Sequence, residues 1–358
     1  MKVKITLSSL FISVILCIAF FSCRKDDALL EAKVESGPTP YSISTPSGFF
    51  PILIPASNPL TVEGIYLGRK LFFDPILSKD SSQSCASCHR QNFAFTDSTT
   101  AYSVGVDGIS GNRNAMPLFN LAWTENGFFW DGGATNLESQ VAGPITNPIE
   151  MHESLANVIV KIQRSSLYPT LFKNAFGENQ VNAANVLKAI AQFERTLISA
   201  NSRYDKWLRN MPGGYLSQQE INGMNLYTDM QKGDCQHCHP LGNTFTDFEF
   251  RNTGLDSIPQ DSGRFKITFI PSDLGKFKTP SLRNIEFTSP YMHDGRFTTL
   301  EEVLDHYNSN FKYAANLDPI LANIPKNRLT IQEKKDIIAF LKTLSDFEFL
   351  TNPDFKAP

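Results

Sequence analysis

The sequence predicts a mainly α-helical protein made of two halves built on one plan. Three observations carry that prediction. Apolar residues recur at helical spacing in segment after segment, and strand-like alternation is weak throughout. One five-residue arrangement, Cys-x-x-Cys-His, occurs twice, as CASCH at 85–89 and CQHCH at 235–239. Each copy follows a helix-like stretch and precedes a long irregular one.

Residues 1–22 have a basic start (Lys2, Lys4), an apolar run over 5–21, and small Ser22 before Cys23. The run is short and followed by polar RKDD, which marks a secretory signal rather than a membrane span. It resembles a bacterial lipoprotein signal, in which Cys23 is lipidated and becomes the first residue of a periplasmic, membrane-tethered chain. Phe21 departs from that pattern, standing where a smaller residue is usual, and cleavage elsewhere would leave a soluble protein. Loss of Lys2 and Lys4 makes the chain slightly more acidic than its formal charge of −3. A weakly acidic protein does not collect phosphates, so nucleic acid is not an expected partner.

Residues 23–60, rich in Pro, Ser and Thr, are expected to form a tether and an extended lead-in. A helix-like stretch over 61–74 leads to the first CxxCH. Residues 97–151 are loop-like, heavy in Gly, Asn and Pro yet studded with aromatics, the composition of a segment that wraps something. Leu155, Val158, Ile159 and Ile162 then share one helical face, as do Val186, Ile190, Phe193 and Leu197. Ser217 with Glu220, Thr299 with Glu302, and Thr330 with Glu333 each form the signature of a helix start. The last of these opens what the sequence presents as the final helix. A boundary near 199–216 divides the chain into an N-terminal domain, 61–205, and a C-terminal domain, 206–358.

The cysteines bound the chemistry most sharply. Cys17 lies in the signal and Cys23 at its end, so Cys85, Cys88, Cys235 and Cys238 all sit in the two boxes. CxxCH is the attachment signature of c-type haem. Two thiols three positions apart add to the two vinyl groups of one porphyrin, and the following histidine is held against the iron. Cys85, Cys88 and His89 are therefore expected to hold one haem, and Cys235, Cys238 and His239 another. One zinc shared by four cysteines would need pairs much closer in sequence than Cys88 and Cys235. A thioredoxin-like pair needs no following histidine. His237, inside the second box, is expected to be a bystander.

With these boxes stand WDGGATNLESQVAGPITNPIEM at 130–151 and PYMHDG at 290–295. Taken together over roughly residues 60–345, the chain resembles the bacterial dihaem cytochrome c peroxidase family, including its MauG-type branch. The resemblance implies two cytochrome c-like haem domains with long irregular loops. The N-terminal haem would be the peroxidatic site, and the C-terminal haem would feed it electrons. Gln140 and Glu150 match the pair over the peroxidatic iron. A carboxylate can carry a proton between peroxide oxygens and an amide can orient them. Pro144 matches a proline that shapes that pocket. Trp130 matches a tryptophan between the haems. Asn114, Thr288 and Pro290 match an inter-domain calcium site, whose oxygen donors suit a hard cation.

Two departures qualify the resemblance. Many members carry a histidine before the RN motif that caps the peroxidatic iron at rest. Here that loop, YSVGVDGISGNRNAMP, holds none, and no histidine occurs between His89 and His152. The first iron is therefore expected to be five-coordinate or water-bound in the oxidised protein. The common sixth ligand of the second haem is a methionine fourteen residues after the histidine of HDG. That position is Tyr307, as in MauG-type enzymes, and no methionine follows Met292. A phenolate ligand lowers the potential relative to a thioether. The alternatives are that Tyr307 packs beside Leu300, Val303 and Leu304, or that His306 ligates instead. His152 is expected at the pocket edge.

The expected function is reduction of hydrogen peroxide with electrons from a cytochrome c or another redox protein. One alternative is a MauG-like oxidase that stores two oxidising equivalents and modifies a partner protein. Another is a non-catalytic dihaem carrier. Family members are often homodimers, though no residue here specifies one.

Overall fold

The computed structural model describes residues 37–98, 100–178 and 180–358. The signal segment and Cys23 lie outside the described residues, as does most of the expected tether.

Two glycines set the architecture. A Cβ on Gly68 would stand 1.9 Å from the carbonyl oxygen of Ala189, so helices Val62–Phe73 and Ala183–Thr196 cross backbone to backbone. A Cβ on Gly223 would stand 1.9 Å from the carbonyl oxygen of Asp336, and helices Gln218–Thr228 and Ile331–Lys342 cross in the same way. Only glycine lets helix axes approach this closely. Leu67, Leu71 and Phe72 bury themselves at the first crossing among Val186, Ile190 and Phe193. Tyr227, Ile337, Phe340 and Leu341 are buried around the second.

Two large apolar cores result, with a small third cluster of Phe128, Ala134, Leu137 and Ala191. One is drawn from residues 67–197 with Phe349 and Leu350, the other from residues 204–344. The capping boxes at Ser217/Glu220, Thr299/Glu302 and Thr330/Glu333 are all formed. Strand is confined, among the described residues, to Phe250–Arg251 paired antiparallel with Phe277–Lys278.

Two expectations need correction. The loop-like region 97–151 contains a ten-residue helix, Leu137–Thr146, with Pro144 inside it. Pro144 has no N–H to give to the preceding turn. The helix survives through a capping box at Asn136 and Ser139 and the buried residues Leu137, Val141 and Ile145. Nor is the helix after Thr330 the last. Phe347–Thr351 follows it and returns to the first core, where Phe349 meets Phe95 and Phe119 at ring-centroid distances of 5.7 and 6.0 Å.

Candidate haem and peroxide site

Each CxxCH box is held by the same local device. The His89 N–H donates to the Cys85 carbonyl at 2.9 Å, and His239 donates to Cys235 at 2.9 Å. His89 Nδ1 lies 2.8 Å from the carbonyl oxygen of Phe95, and His239 Nδ1 lies 3.1 Å from that of Phe245. Both phenylalanines are buried and take left-handed backbone conformations, which turn these carbonyls toward the rings. An Nδ1–H donated to a carbonyl fixes the tautomer and leaves Nε2 as the metal-binding nitrogen. Burial lowers the pKa of both rings, His239 to about 4, so each is neutral and able to ligate. The four box thiols form no disulfide. Burial raises all of them, Cys235 and Cys238 to about 12, so they are uncharged thiols. These features fit two covalent haems.

The correspondence extends well beyond the boxes. Thr96 Oγ1 donates to the Ala115 carbonyl, and Thr246 Oγ1 to that of Thr279 at 2.6 Å. The turns Phe128–Ala134 and Tyr291–Phe297 are closed by matching bridges, which sets Trp130-Asp131-Gly132 against His293-Asp294-Gly295. Helix caps follow at Asn136 and Thr299. Counting on from these caps, Pro144 and Tyr307 fall at the same place, each the eighth residue beyond its cap.

That equivalence bears on the two irons. Around Tyr307 the helix Leu300–Asp305 passes into a π-helical turn, His306–Asn310, a feature often found at functional sites. The Tyr307 phenol is within electrostatic range of Cys238 and Cys235 and hydrogen bonds to the Thr253 side chain. Burial raises its pKa, and the Thr253 hydrogen bond acts in the opposite sense. His306 is engaged elsewhere, its Nε2 lying 2.9 Å from the Thr253 carbonyl oxygen. In the first half the corresponding residue is Pro144, which has no ligating atom.

Gln140 lies one turn before Pro144 on the same helix. It is buried, and its Oε1 has no hydrogen-bond partner. An orphaned buried acceptor fits a site completed by another molecule. Glu150 follows the helix and is within electrostatic range of the Cys85 and Cys88 thiols. Its side chain is open to solvent, while the protein mass around it disfavours the charged form and raises the carboxyl pKa. A 2.7 Å hydrogen bond from Asn147 Nδ2 to Oε1 acts in the opposite sense.

The loop that lacks a histidine is pinned onto Glu150. Val106 N–H donates to the Glu150 carbonyl at 2.8 Å, and a Cβ on Gly105 would collide with the Ile149 carbonyl oxygen at 2.2 Å. His152 pairs with Asp107, which also holds Lys79 at 2.8 Å. His237 pairs with Asp234 at 2.5 Å.

Trp130 is buried and donates its indole N–H to the Asn114 carbonyl at 2.9 Å; Asn114 N–H in turn donates to the His293 carbonyl at 2.7 Å. The two equivalent positions, 130 and 293, are thus joined through Asn114. The Asn114 side-chain oxygen and the carbonyls of Thr288 and Pro290 accept no hydrogen bond from the described residues. They remain available to a cation. Neither the Gly68 and Gly223 crossings nor the buried Lys278 was read from the sequence. The two glycines, each ahead of its CxxCH in a helical stretch, were the signal for the crossings.

Residues 62–212 match the family model described as di-haem cytochrome c peroxidase. The chain is 38% identical over 295 residues to the methylamine utilization protein MauG of Methylorubrum extorquens, covering 81% of this chain and 80% of that protein. It is 36% identical over 314 residues to cytochrome c551 peroxidase of Nitrosomonas europaea, covering 85% of each. A solved structure of a MauG-like protein associated with microbial copper homeostasis is similar with a TM-score of 0.82 and 34% identity. That similarity covers 89% of this chain and 99% of the other.

Proposed function

The chain belongs to the di-haem cytochrome c peroxidase family, and from that premise we propose how its residues divide the work of reducing hydrogen peroxide to water. The protein is an oxidoreductase, and the family carries two haem c. One haem belongs to Cys85, Cys88 and His89, the other to Cys235, Cys238, His239 and Tyr307, in two cytochrome c-like domains. Held there, the two haems would supply the redox chemistry of O–O cleavage.

The chain's own residues handle orientation and protons. Gln140 directs its buried amide at the peroxide oxygens. Glu150 would accept a proton from one peroxide oxygen and return it to the other. Desolvation by the surrounding protein raises its carboxyl pKa, which strengthens it as a proton acceptor. Trp130, joined through Asn114 to His293, would carry electrons between the two halves. Each turnover consumes two electrons and two protons per peroxide and yields two waters. The observation that carries this reading is Pro144, a residue without a ligating atom at the position where the other half has Tyr307. Asn114, Thr288 and Pro290 hold a calcium ion, and Cys23 tethers the chain at the periplasmic face of a membrane.

Tyr307 also favours a second reading, a MauG-like oxidase acting on a partner protein. A phenolate stabilises the ferric state and makes electron uptake from a high-potential donor less favourable. Steady-state peroxide consumption with reduced cytochrome c separates the two. The peroxidase reading predicts two cytochromes oxidised per peroxide. Negligible donor oxidation, with a long-lived oxidised protein after peroxide, would overturn it in favour of the oxidase.

A further inference from the structure

A cavity lies where the two halves of the sequence meet. Gln140, Phe129 and Pro117 line it from one side, and Thr246, Pro280 and Lys278 from the other. Lys278 is the unusual member. It is 4% exposed, yet its ammonium has no carboxylate partner among the described residues. Its Nζ donates to the Glu125 carbonyl at 3.2 Å and stands 5.5 Å from the centre of the Phe250 ring. The nearby carboxylate, Asp131, is committed elsewhere. One of its oxygens takes Arg113 at 2.6 Å and the other takes the Gly133 N–H at 3.0 Å. Arg264 lies 4.3 Å from the centre of the same Phe250 ring and adds positive charge.

A buried ammonium held by one carbonyl is costly unless an anion completes it. The backbone fixes where that anion must be. Lys278 N–H donates to the Trp130 carbonyl at 2.8 Å, and Lys278 pairs with Phe250 in the short sheet. The same strand leads directly to Thr279 and Pro280. The Thr279 carbonyl is held by Thr246, the residue after Phe245, whose carbonyl faces His239. The cavity therefore borders the second haem segment, and Gln140 places it beside the first.

We propose that Lys278 is the counter-cation of a haem propionate, and so sets that haem's reduction potential and its seat between the two halves. The proposal rests on the two-haem reading above. A propionate is the carboxylate that a bound haem would bring into a cavity bordered by both haem segments. In this role Lys278 is a positioning residue, since it acts on electron flow through the propionate it holds.

The test uses the full protein loaded with two haems, with haem content measured by pyridine haemochrome. Lys278→Met removes the charge. Its expected effect is a negative shift of one of the two midpoint potentials in spectroelectrochemical titration, with the other unchanged. Lys278→Arg should restore the wild-type value. Lys278→Gln retains a donor for the Glu125 carbonyl and carries the same expectation as Met, should the Met variant fail to accumulate. Wild-type potentials should not respond to acetate at constant ionic strength. Two haems with both potentials unchanged in the Met or Gln variant would overturn the proposal. A potential that follows acetate concentration would also overturn it, by identifying a soluble anion as the partner. Fewer than two haems in the wild-type protein would instead sink the haem reading itself.

Discussion

Gly68→Ala perturbs the first helix crossing by a single carbon. The new Cβ would stand 1.9 Å from the Ala189 carbonyl oxygen, 2.5 Å from its carbon and 3.1 Å from the Ile190 nitrogen. A carbon–oxygen contact is comfortable at about 3.3 Å. The helices must then part by roughly 1.4 Å at the crossing, and the neighbour that must yield is backbone rather than a flexible side chain. A gap of about 1 Å already forfeits up to about half of a dispersion contact. The surrounding Leu67, Leu71, Phe72, Ile190 and Phe193 are all fully buried. Overpacking of this kind costs up to about 3 kcal/mol. Better helix propensity of alanine returns about 1 kcal/mol. The expected net loss is about 2 kcal/mol, or a fall of about 4–8 °C in melting temperature. Thermal unfolding of the holo-protein measures it, with Gly111→Ala as control. There the new carbon meets Ser103 at an ordinary 3.5 Å, and no loss is expected. A Gly68→Ala protein melting at or above the wild type would refute the close-crossing argument.

Glu150→Gln should lower peroxide turnover by about 10²–10⁴-fold while leaving both haem spectra unchanged. Turnover equal to the wild type in steady-state assays would remove Glu150 from proton transfer. Glu194 gives a pH signature: burial raises its carboxyl to about 8, and its Oε2 has no partner. An unfolded glutamic acid loses its proton near 4.3, so this side chain makes stability fall as pH rises from about 4.3 toward the folded value. Glu194→Gln should therefore gain on the wild type between pH 5 and pH 8 in urea unfolding, and a constant difference would contradict the assignment.

The sequence made some of this legible because local signals and tertiary structure agree. The apolar faces at Val186, Ile190 and Phe193 and the three Ser/Thr–Glu caps became buried faces and real caps. The helix carrying Gln140 was hidden because Gly143-Pro144 reads as a break, whereas burial of Leu137, Val141 and Ile145 overrides it. Gly143 is itself needed, since a Cβ there would stand 2.9 Å from the Phe129 ring. The short helix Phe347–Thr351 has no period to detect and is held by tertiary contacts of Phe349. The burial of Lys278 left no trace in sequence, where a lysine between Phe277 and Thr279 looks like an exposed strand residue.

Electron paramagnetic resonance of the oxidised protein as isolated tests the central claim, that the two halves differ in their sixth-ligand positions. The account predicts one high-spin and one low-spin ferric signal, with the low-spin signal lost or shifted in Tyr307→Phe. Two low-spin signals at room-temperature-equilibrated pH 7, both untouched by that substitution, would contradict it.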